Sequence, residues 1–166
     1  MIRLTADSTC DLGENIQKRG IGIKPLSVIL GDTAYSDGVD IVPQDIFNYV
    51  EKTGQLPKTA APSIADYEEF FRPYVEAGDT VIHFNISSKA SSSHSYAAEA
   101  AKSFGGKVFV VDTKALSTGQ GLVIMLAADM RDRGASAEEI VEKVNSVRAK
   151  VNTSFVPDRL DYLYKG

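Results

Sequence analysis

The sequence is poor in the residues that mark several common classes of protein. It has a single cysteine, Cys10, which cannot form a disulfide framework within the chain or a cysteine-based zinc site. No apolar stretch approaches the length of about 20 residues that is needed to span a bilayer. The chain begins without the basic segment and long apolar run of a secretory signal. These absences predict a soluble cytoplasmic protein.

An excess of positive charge is also missing. The chain carries 18 basic and 22 acidic side chains, for a formal net charge of −4. An acidic balance gives no electrostatic footprint for nucleic acid and no attraction to anionic lipid headgroups. A lipid ligand would therefore have to enter a pocket.

The length and pattern of the chain indicate an α/β domain. Its 166 residues, 43% of them hydrophobic, are sufficient for one domain with its own core. Short apolar runs alternate with helical periodicity. Strands are predicted at residues 2–6, 33–37, 80–86, 108–111 and 151–156, with a run at 21–30 interrupted by Pro25. Helices are predicted at 11–19, 43–52, 64–76, 95–104, 116–133 and 137–150, and residues 56–62 are expected to form a loop. This order predicts an open, mainly parallel sheet with helices on both faces.

Polar loops follow several of the predicted strands. They comprise residues 7–11, 59–63, 87–93 and 112–118. In an open parallel sheet, ligands bind at the carboxyl ends of the strands, and the helix N-termini there favour anions. Lys89 and Lys114 are the only basic residues in these loops. Hydroxyl groups with few cations suit a singly charged carboxylate better than a triphosphate.

Several polar residues have a purely structural interpretation. Ser63 is predicted to cap the helix at 64–76, and His83 is predicted to be a hydrogen-bonded core histidine. Cys10 is expected to be a small turn residue rather than a reactive thiol. His94, beside the serine-rich loop, is the better histidine for chemistry, although an exposed histidine at a helix start is its default interpretation. The chain has no nucleophile motif, phosphate loop or metal-ligand spacing, so no catalytic residue, metal or cofactor is predicted.

Five ordered segments resemble motifs of the DegV family. They are DSTCDL at 7–12 (D-S-T-x-D-L), TAAPS at 59–63 (T-S-Q-P-S), ISSKASSS at 86–93 (I-S-S-x-L-S-G-T), VDTKALSTGQG at 111–121 (V-D-S-x-x-x-S-x-G-x-G) and DYLYKG at 161–166. The resemblance implies a protein that binds a long-chain fatty acid such as palmitate between two α/β domains. It further implies that bacterial members present the fatty acid to a fatty acid kinase, which phosphorylates the carboxylate for phospholipid synthesis.

The resemblance also implies the site. In the family, the carboxylate is bound by the threonine of T-S-Q-P-S and by the serine before the glycine of L-S-G-T. These two residues correspond to Thr59 and Ser91 here. Ser92 replaces that glycine and completes the predicted fatty-acid-binding set of Thr59, Ser91 and Ser92. Two other departures are Ala60 and Ala61, which replace a serine and a glutamine. Ser93 and His94 stand in place of the family's threonine-tyrosine pair.

Family members continue into a second domain that supplies an arginine and a histidine to the carboxylate. Residues 1–156 are therefore expected to be the first α/β domain, and residues 157–166 the start of a truncated second domain. Two alternatives to a lipid-binding carrier remain. One is a phosphotransfer domain with His94 as the phospho-acceptor, and the other is an interaction domain without a ligand.

Overall fold

The computed structural model describes residues 1–157 and residue 160, and it divides the chain into two compact units. The first unit comprises Met1–Lys24 and Pro62–Thr153, and the second comprises Pro25–Ala61 and Ser154–Gly166. Within the described residues, no helix is both long enough and apolar enough to cross a membrane.

The elements are numbered in chain order. The strands are β1 (Ile2–Asp7), β2 (Gly22–Lys24), β3 (Ser27–Leu30), β4 (Thr33–Ser36), β5 (Lys58–Ala60), β6 (Thr80–Asn85) and β7 (Val108–Asp112). The α-helices are α1 (Asn15–Lys18), α2 (Pro43–Thr53), α3 (Ile64–Glu76), α4 (Ser93–Ala101), α5 (Ser117–Asp132) and α6 (Ala137–Val147). Short 3-10 turns cover Ser8–Cys10, Lys102–Phe104 and Arg148–Lys150.

The first unit contains a four-stranded sheet in the order β2-β1-β6-β7, with all pairs parallel. Ala6 on β1 pairs with Ile23 on one side and with Phe84 on the other. The chain thus moves from β1 outward to β2 and later returns on the opposite side of β1. The switch point in strand order lies between the carboxyl ends of β1 and β6, which is where open α/β sheets bind ligands.

Helices cover both faces of this sheet, and strand β6 contributes alternately to each core. Ile82 and Phe84 join the core formed with α5 and α6, which includes Ile124 and Ile140. Val81 belongs to the other core, which contains α3 and α4 residues. Residues two apart on a strand point to the same face, which accounts for this alternation. The predicted fold class, a parallel α/β sheet covered on both faces, is confirmed.

The second unit has a three-stranded antiparallel sheet in the order β4-β3-β5. Strands β3 and β4 form a hairpin, and Gly31 at its turn has a φ of +62°, a conformation that glycine adopts without steric cost. Helix α2 begins with Pro43 and ends before Gly54, which is in the left-handed conformation.

Locally encoded elements match the predictions most closely. Helix α3 has the predicted bounds, and the Ser63 side chain caps it in a reciprocal arrangement with Asp66. Helices α2, α5 and α6 and strands β1, β6 and β7 lie within a few residues of their predicted bounds.

Three predicted elements are wrong. Residues 151–156 are not a strand, since they pair with none of the described strands. Residues 56–62 are not wholly a loop, because Lys58–Ala60 pairs with β3. The predicted helix at 11–19 is reduced to α1, and Asp11 has a φ of +46° instead of an N-cap geometry. The expected start of a second domain at 157–166 falls mostly outside the described residues.

Removing the cap of α6 should destabilise the first unit. The Ser136 hydroxyl accepts a hydrogen bond from the backbone N–H of Glu139, whose side chain accepts one from the N–H of Ser136. The variant Ser136→Ala should lower the free energy of unfolding by about 1 kcal/mol in urea denaturation. The control Ser146→Ala removes only an exposed bond to the Lys143 carbonyl and should change it by less than about 0.5 kcal/mol. Equal effects of the two variants would contradict a capping role.

Candidate functional site

Asp7 ends β1 at the switch point, and its fully buried carboxylate accepts hydrogen bonds from several segments of the chain. Its Oδ2 lies 2.7 Å from the backbone N of Ile86, just after β6. Its Oδ1 lies 2.7 Å from the Thr9 hydroxyl and 2.8 Å from the Gln120 side-chain N on α5. A buried carboxylate is costly unless donors surround it, so these bonds fix the loops after β1 and β6 and the first turn of α5 together.

Asn85, the last residue of β6, extends this network behind the sheet edge. Its side-chain N lies 3.4 Å from the Asp7 carboxylate, 3.2 Å from the Tyr67 hydroxyl and 3.2 Å from Nε2 of His83. The other ring nitrogen of His83 lies 2.9 Å from the Thr5 hydroxyl. Burial lowers the pKa of His83 to about 3, with a smaller contribution from the charge of His94. The histidine is therefore neutral at physiological pH.

The serine turn, residues 87–93, connects β6 to α4 and lies over the same edge. Backbone N–H groups of Ala90 and Ser91 donate to the Ser87 carbonyl, which closes the turn. The Ser91 hydroxyl lies 2.8 Å from the Ser93 hydroxyl and 3.2 Å from the Ser93 backbone N. Ser93 is buried, whereas Ser91 is half-buried and faces outward into a pocket.

That pocket has a volume of about 310 Å³. The serine turn and the start of α4 form its lining, which comprises Ser88, Lys89, Ala90, Ser91, Ser92 and Ser95. Hydroxyl groups dominate this lining and Lys89 supplies a single cation, so the pocket has the donors that a small anionic group requires.

Asp112 ties the serine turn to the loop after β7. Its carboxylate accepts hydrogen bonds from the hydroxyl and backbone N of Ser88 and from the backbone N of Lys114. Burial acts to raise the pKa of Asp112, but these hydrogen bonds outweigh it and leave the pKa below its usual value. The ionised carboxylate thus stabilises the position of the serine turn.

The non-glycine residues with positive φ lie after the carboxyl ends of β1 and β7, either in loops or at the first residue of α5. Within the described residues they are Asp11 at +46°, Lys114 at +55° and Ser117 at +51°. Such conformations cost free energy and are concentrated at functional sites. Their position at this edge agrees with a binding function there.

Two cations face a second pocket beside the serine turn. Its volume is about 400 Å³, and Lys89 and Lys114 line it together with Asn152 and Thr153. They are the two basic residues that the sequence placed in the polar loops, and the fold brings them to one cavity.

Of the predicted ligand residues, Ser91 and Ser92 lie together in the serine-turn pocket. The φ of Ser92 is −75°, so the backbone does not require the glycine of the family motif at this position. Thr59 belongs to the second unit, where it lies on β5, is exposed and pairs with Val28. Its association with Ser91 stays a prediction.

Three other sequence candidates have the structural roles that were expected of them. His83 is a hydrogen-bonded core histidine, and Ser63 is a cap. Cys10 is buried, and burial raises the pKa of its thiol to about 11, so it is not a reactive thiolate at neutral pH. His94 is half-buried in the first turn of α4.

Sequence reasoning missed Gln120 and Tyr67 as members of the site. Gln120 lies between two glycines that allow α5 to approach its neighbours closely. A Cβ at Gly121 would lie 3.0 Å from the Cys10 carbonyl oxygen, and one at Gly119 would overlap the Thr153 hydroxyl. The pattern Gly-Gln-Gly was the available signal, and it marks close packing with a buried amide between the glycines.

Comparisons with known proteins identify the family. The model of a family described as uncharacterised proteins of the DegV family matches residues 1–166. A DegV domain-containing protein from Deinococcus radiodurans is 32% identical over 163 residues, which are 98% of this chain and 58% of that protein. The chain thus spans somewhat more than half the length of this relative.

Solved structures give the same result. A DegV family protein from Thermus thermophilus, described as fatty acid binding, has a TM-score of 0.83 at 34% identity, over 89% of this chain and 53% of that chain. A stearic acid-binding protein from Eubacterium ventriosum has a TM-score of 0.79 at 33% identity, over 87% and 52%. The motifs, the fold and these likenesses agree, and the chain belongs to the DegV family.

Proposed function

We propose that this protein binds a long-chain fatty acid and that the Ser91 hydroxyl in the serine-turn pocket donates a hydrogen bond to the carboxylate. The observation that carries the proposal is the position of Ser91. It lies half-buried at the carboxyl edge of a parallel sheet, beside the switch point and in a pocket lined by hydroxyl groups. Similar proteins from Thermus thermophilus and Eubacterium ventriosum are described as fatty acid and stearic acid binding, which supports a ligand of this class.

The composition of the pocket favours a carboxylate over a more highly charged group. Hydroxyl groups can donate hydrogen bonds to a singly charged carboxylate without placing an excess of positive charge in the pocket. Thr59, which the resemblance assigns to the same carboxylate, is proposed as a second donor. Ser92 is proposed to line the headgroup site.

The acyl chain is proposed to supply most of the affinity, since burial of each methylene contributes about 0.8 kcal/mol. An apolar surface suited to it lies at the same edge of the sheet. Leu12, Leu122 and Met125 line a pocket of about 270 Å³ there, and Leu122 is 64% exposed. An exposed leucine of this kind is available for contact with an acyl chain.

The further step, presentation of the bound fatty acid to a fatty acid kinase, rests on the family resemblance alone. In this proposal the protein is a carrier that holds the substrate, and the kinase supplies the chemistry of acyl-phosphate formation.

The phosphotransfer alternative has one supporting observation. The charge of His94 contributes to the lowered pKa of Asp112, so a carboxylate lies within electrostatic range of this histidine. The carrier is favoured because the hydroxyl-lined pocket centres on Ser91 and does not include His94.

Loss of the Ser91 hydroxyl should weaken fatty acid binding. A hydrogen bond to a charged group contributes about 1.5–3 kcal/mol, so Ser91→Ala should raise the Kd for palmitate roughly 10- to 100-fold in a fluorescent-displacement titration. The matched control is Ser103→Ala, which removes an exposed hydroxyl bound to Glu68 and should leave the Kd unchanged. An unchanged Kd for Ser91→Ala would contradict the assignment.

The proposed role of Thr59 as a carboxylate donor is tested by the same titration, with a control variant in the sheet that contains Thr59. The variant Thr59→Ala should raise the Kd for palmitate by about tenfold or more, because the carboxylate would lose one hydroxyl donor. Thr33→Ala, at an exposed position on the neighbouring part of that sheet, is the control. If both threonine variants bind palmitate like the wild type, Thr59 is not a ligand.

The nature of the ligand distinguishes the three functions. Mass spectrometry of an organic extract of the purified protein should detect a co-purified long-chain fatty acid. A phosphate-donor assay on the wild type and on His94→Ala tests the phosphotransfer alternative in parallel. Label that depends on His94 would overturn the carrier proposal, and the absence of both label and fatty acid would favour an interaction domain.

A further inference from the structure

We propose that the pocket between the serine turn and the loop after β7 is a phosphoryl-binding site, in which Lys89 and Lys114 hold a dianionic phosphate group. The group is either free phosphate or the phosphate of a lipid whose chain occupies the proposed fatty acid site. In the second case the inference rests on the proposed function and deepens it. Its basis is the meeting of two lysines, a helix N-terminus and an unpartnered hydroxyl at one cavity of about 400 Å³.

The charge of this pocket differs from that of the serine-turn pocket. Lys89 and Lys114 both line it, and its described lining contains no acidic residue. Within residues 1–157 and residue 160, neither lysine belongs to an ion pair. Two positive charges without a protein counter-ion suit an anion of matching charge. A phosphate monoester carries close to two negative charges at neutral pH, and lysine binds phosphate as a point charge.

Hydrogen bonds hold together the two loops that carry the lysines. The Asp112 carboxylate accepts from the backbone N of Ser88 at 3.1 Å and from the backbone N of Lys114 at 2.9 Å. The backbone N of Ser87 donates to the Ala115 carbonyl oxygen at 2.9 Å. The carboxylate of Asp112 is thus engaged by the loops themselves and does not line the pocket. Both lysines are therefore presented to one cavity before any ligand binds, which lowers the entropic cost of binding.

Helix α5 adds a further positive contribution. Its N-cap residue, Leu116, lines the pocket and makes no side-chain capping bond. The first turn of α5 has no acidic residue, whereas α3 and α6 each have a serine cap and an acidic residue in the first turn. The positive end of the α5 dipole is therefore left without a protein anion at the wall of the pocket. A helix N-terminus in this state favours a phosphate.

Thr153 brings an unsatisfied hydroxyl group to the same pocket. Its side-chain oxygen is buried, has no hydrogen-bond partner within the described residues, and lies beside Gly119 in the first turn of α5. Burial of a hydroxyl without a partner costs free energy, and an acceptor oxygen in the pocket would remove that cost. A phosphate group has several acceptor oxygens, so it can meet the hydroxyl and the lysines at once.

The position of the pocket connects it to the proposed headgroup site. Lys89 and Ala90 line both this pocket and the serine-turn pocket, so the two cavities are adjacent. The serine-turn pocket has hydroxyl groups and Lys89 alone, which suits a carboxylate, whereas the second pocket has both lysines. Lys114 lines only the second of the two. We therefore expect Lys114 to distinguish a phosphate from a carboxylate.

The test compares hexadecyl phosphate with palmitate in fluorescent-displacement titrations of the wild type and of Lys114→Gln. The variant should raise the Kd for hexadecyl phosphate about fivefold, which is the upper end of what an exposed ion pair contributes, and the Kd for palmitate by less than about twofold. The difference should shrink in about 0.5 M sodium chloride, because salt screens exposed charges.

Two further variants serve as controls for these titrations. Lys114→Arg keeps the positive charge and should retain the wild-type Kd for both ligands. Lys143→Gln, on α6, removes the same charge outside both pockets and should change neither Kd. An equal loss of hexadecyl phosphate binding in Lys143→Gln and Lys114→Gln would show an effect of net charge and would overturn the site.

Inorganic phosphate distinguishes the two sources of the group. Broadening of its phosphorus NMR signal by the wild type, but not by Lys114→Gln, would support a site for free phosphate. A dependence on Lys114 for hexadecyl phosphate alone would assign the site to a lipid phosphate.

The site is overturned if Lys114→Gln leaves both phosphate ligands unaffected, or if it weakens palmitate as much as hexadecyl phosphate. If the wild type does not bind palmitate, the proposed function fails, and the response of inorganic phosphate to Lys114→Gln still decides for or against the phosphoryl site.

Discussion

The structure of the candidate site depends on one buried carboxylate. Asp7 has no solvent to satisfy it, so every acceptor position must be met by a donor from the protein. The donors come from the loop after β1, from both the end of β6 and the residue that follows it, and from α5. Segments far apart in sequence are thereby held in one arrangement at the switch point of the sheet.

The same constraint extends to the pocket. Asp7 accepts a hydrogen bond from the backbone N of Ile86, the residue that precedes the serine turn. A second carboxylate, Asp112, holds the serine turn from the side of β7. The turn is thus supported by two acidic residues that do not line the pocket. In this account the acidic groups orient neutral donors, and the neutral donors meet the negative ligand.

The sequence is informative wherever the determining interactions are local. The caps Ser63 and Ser136, Pro43 at the start of α2 and the alternation of apolar runs depend on neighbouring residues, and the corresponding elements are confirmed. Strand β5 was missed because Lys58–Ala60 has no apolar pattern and is defined by its pairing with β3. Residues 151–156 were wrongly predicted as a strand because an apolar-polar pattern does not supply a partner.

The site shows the same division. The loop positions and the importance of Ser91 follow from motifs. The role of Gln120 depends on hydrogen bonds to residues that are 111 and 113 positions away in the sequence. The role of Tyr67 depends on a hydrogen bond to a residue 18 positions away. Tyr67 in particular follows the helical spacing of a core aromatic, and only its hydroxyl distinguishes it. The hydrogen-bond network around Asp7 is a property of the assembled core, which no single segment encodes.

The most direct measurement is a crystal structure of the protein grown with palmitate. We predict a carboxylate oxygen within about 3 Å of the Ser91 hydroxyl oxygen, in the pocket formed by the serine turn. A fatty acid bound with its carboxylate away from Ser91 would contradict the assignment of the headgroup site.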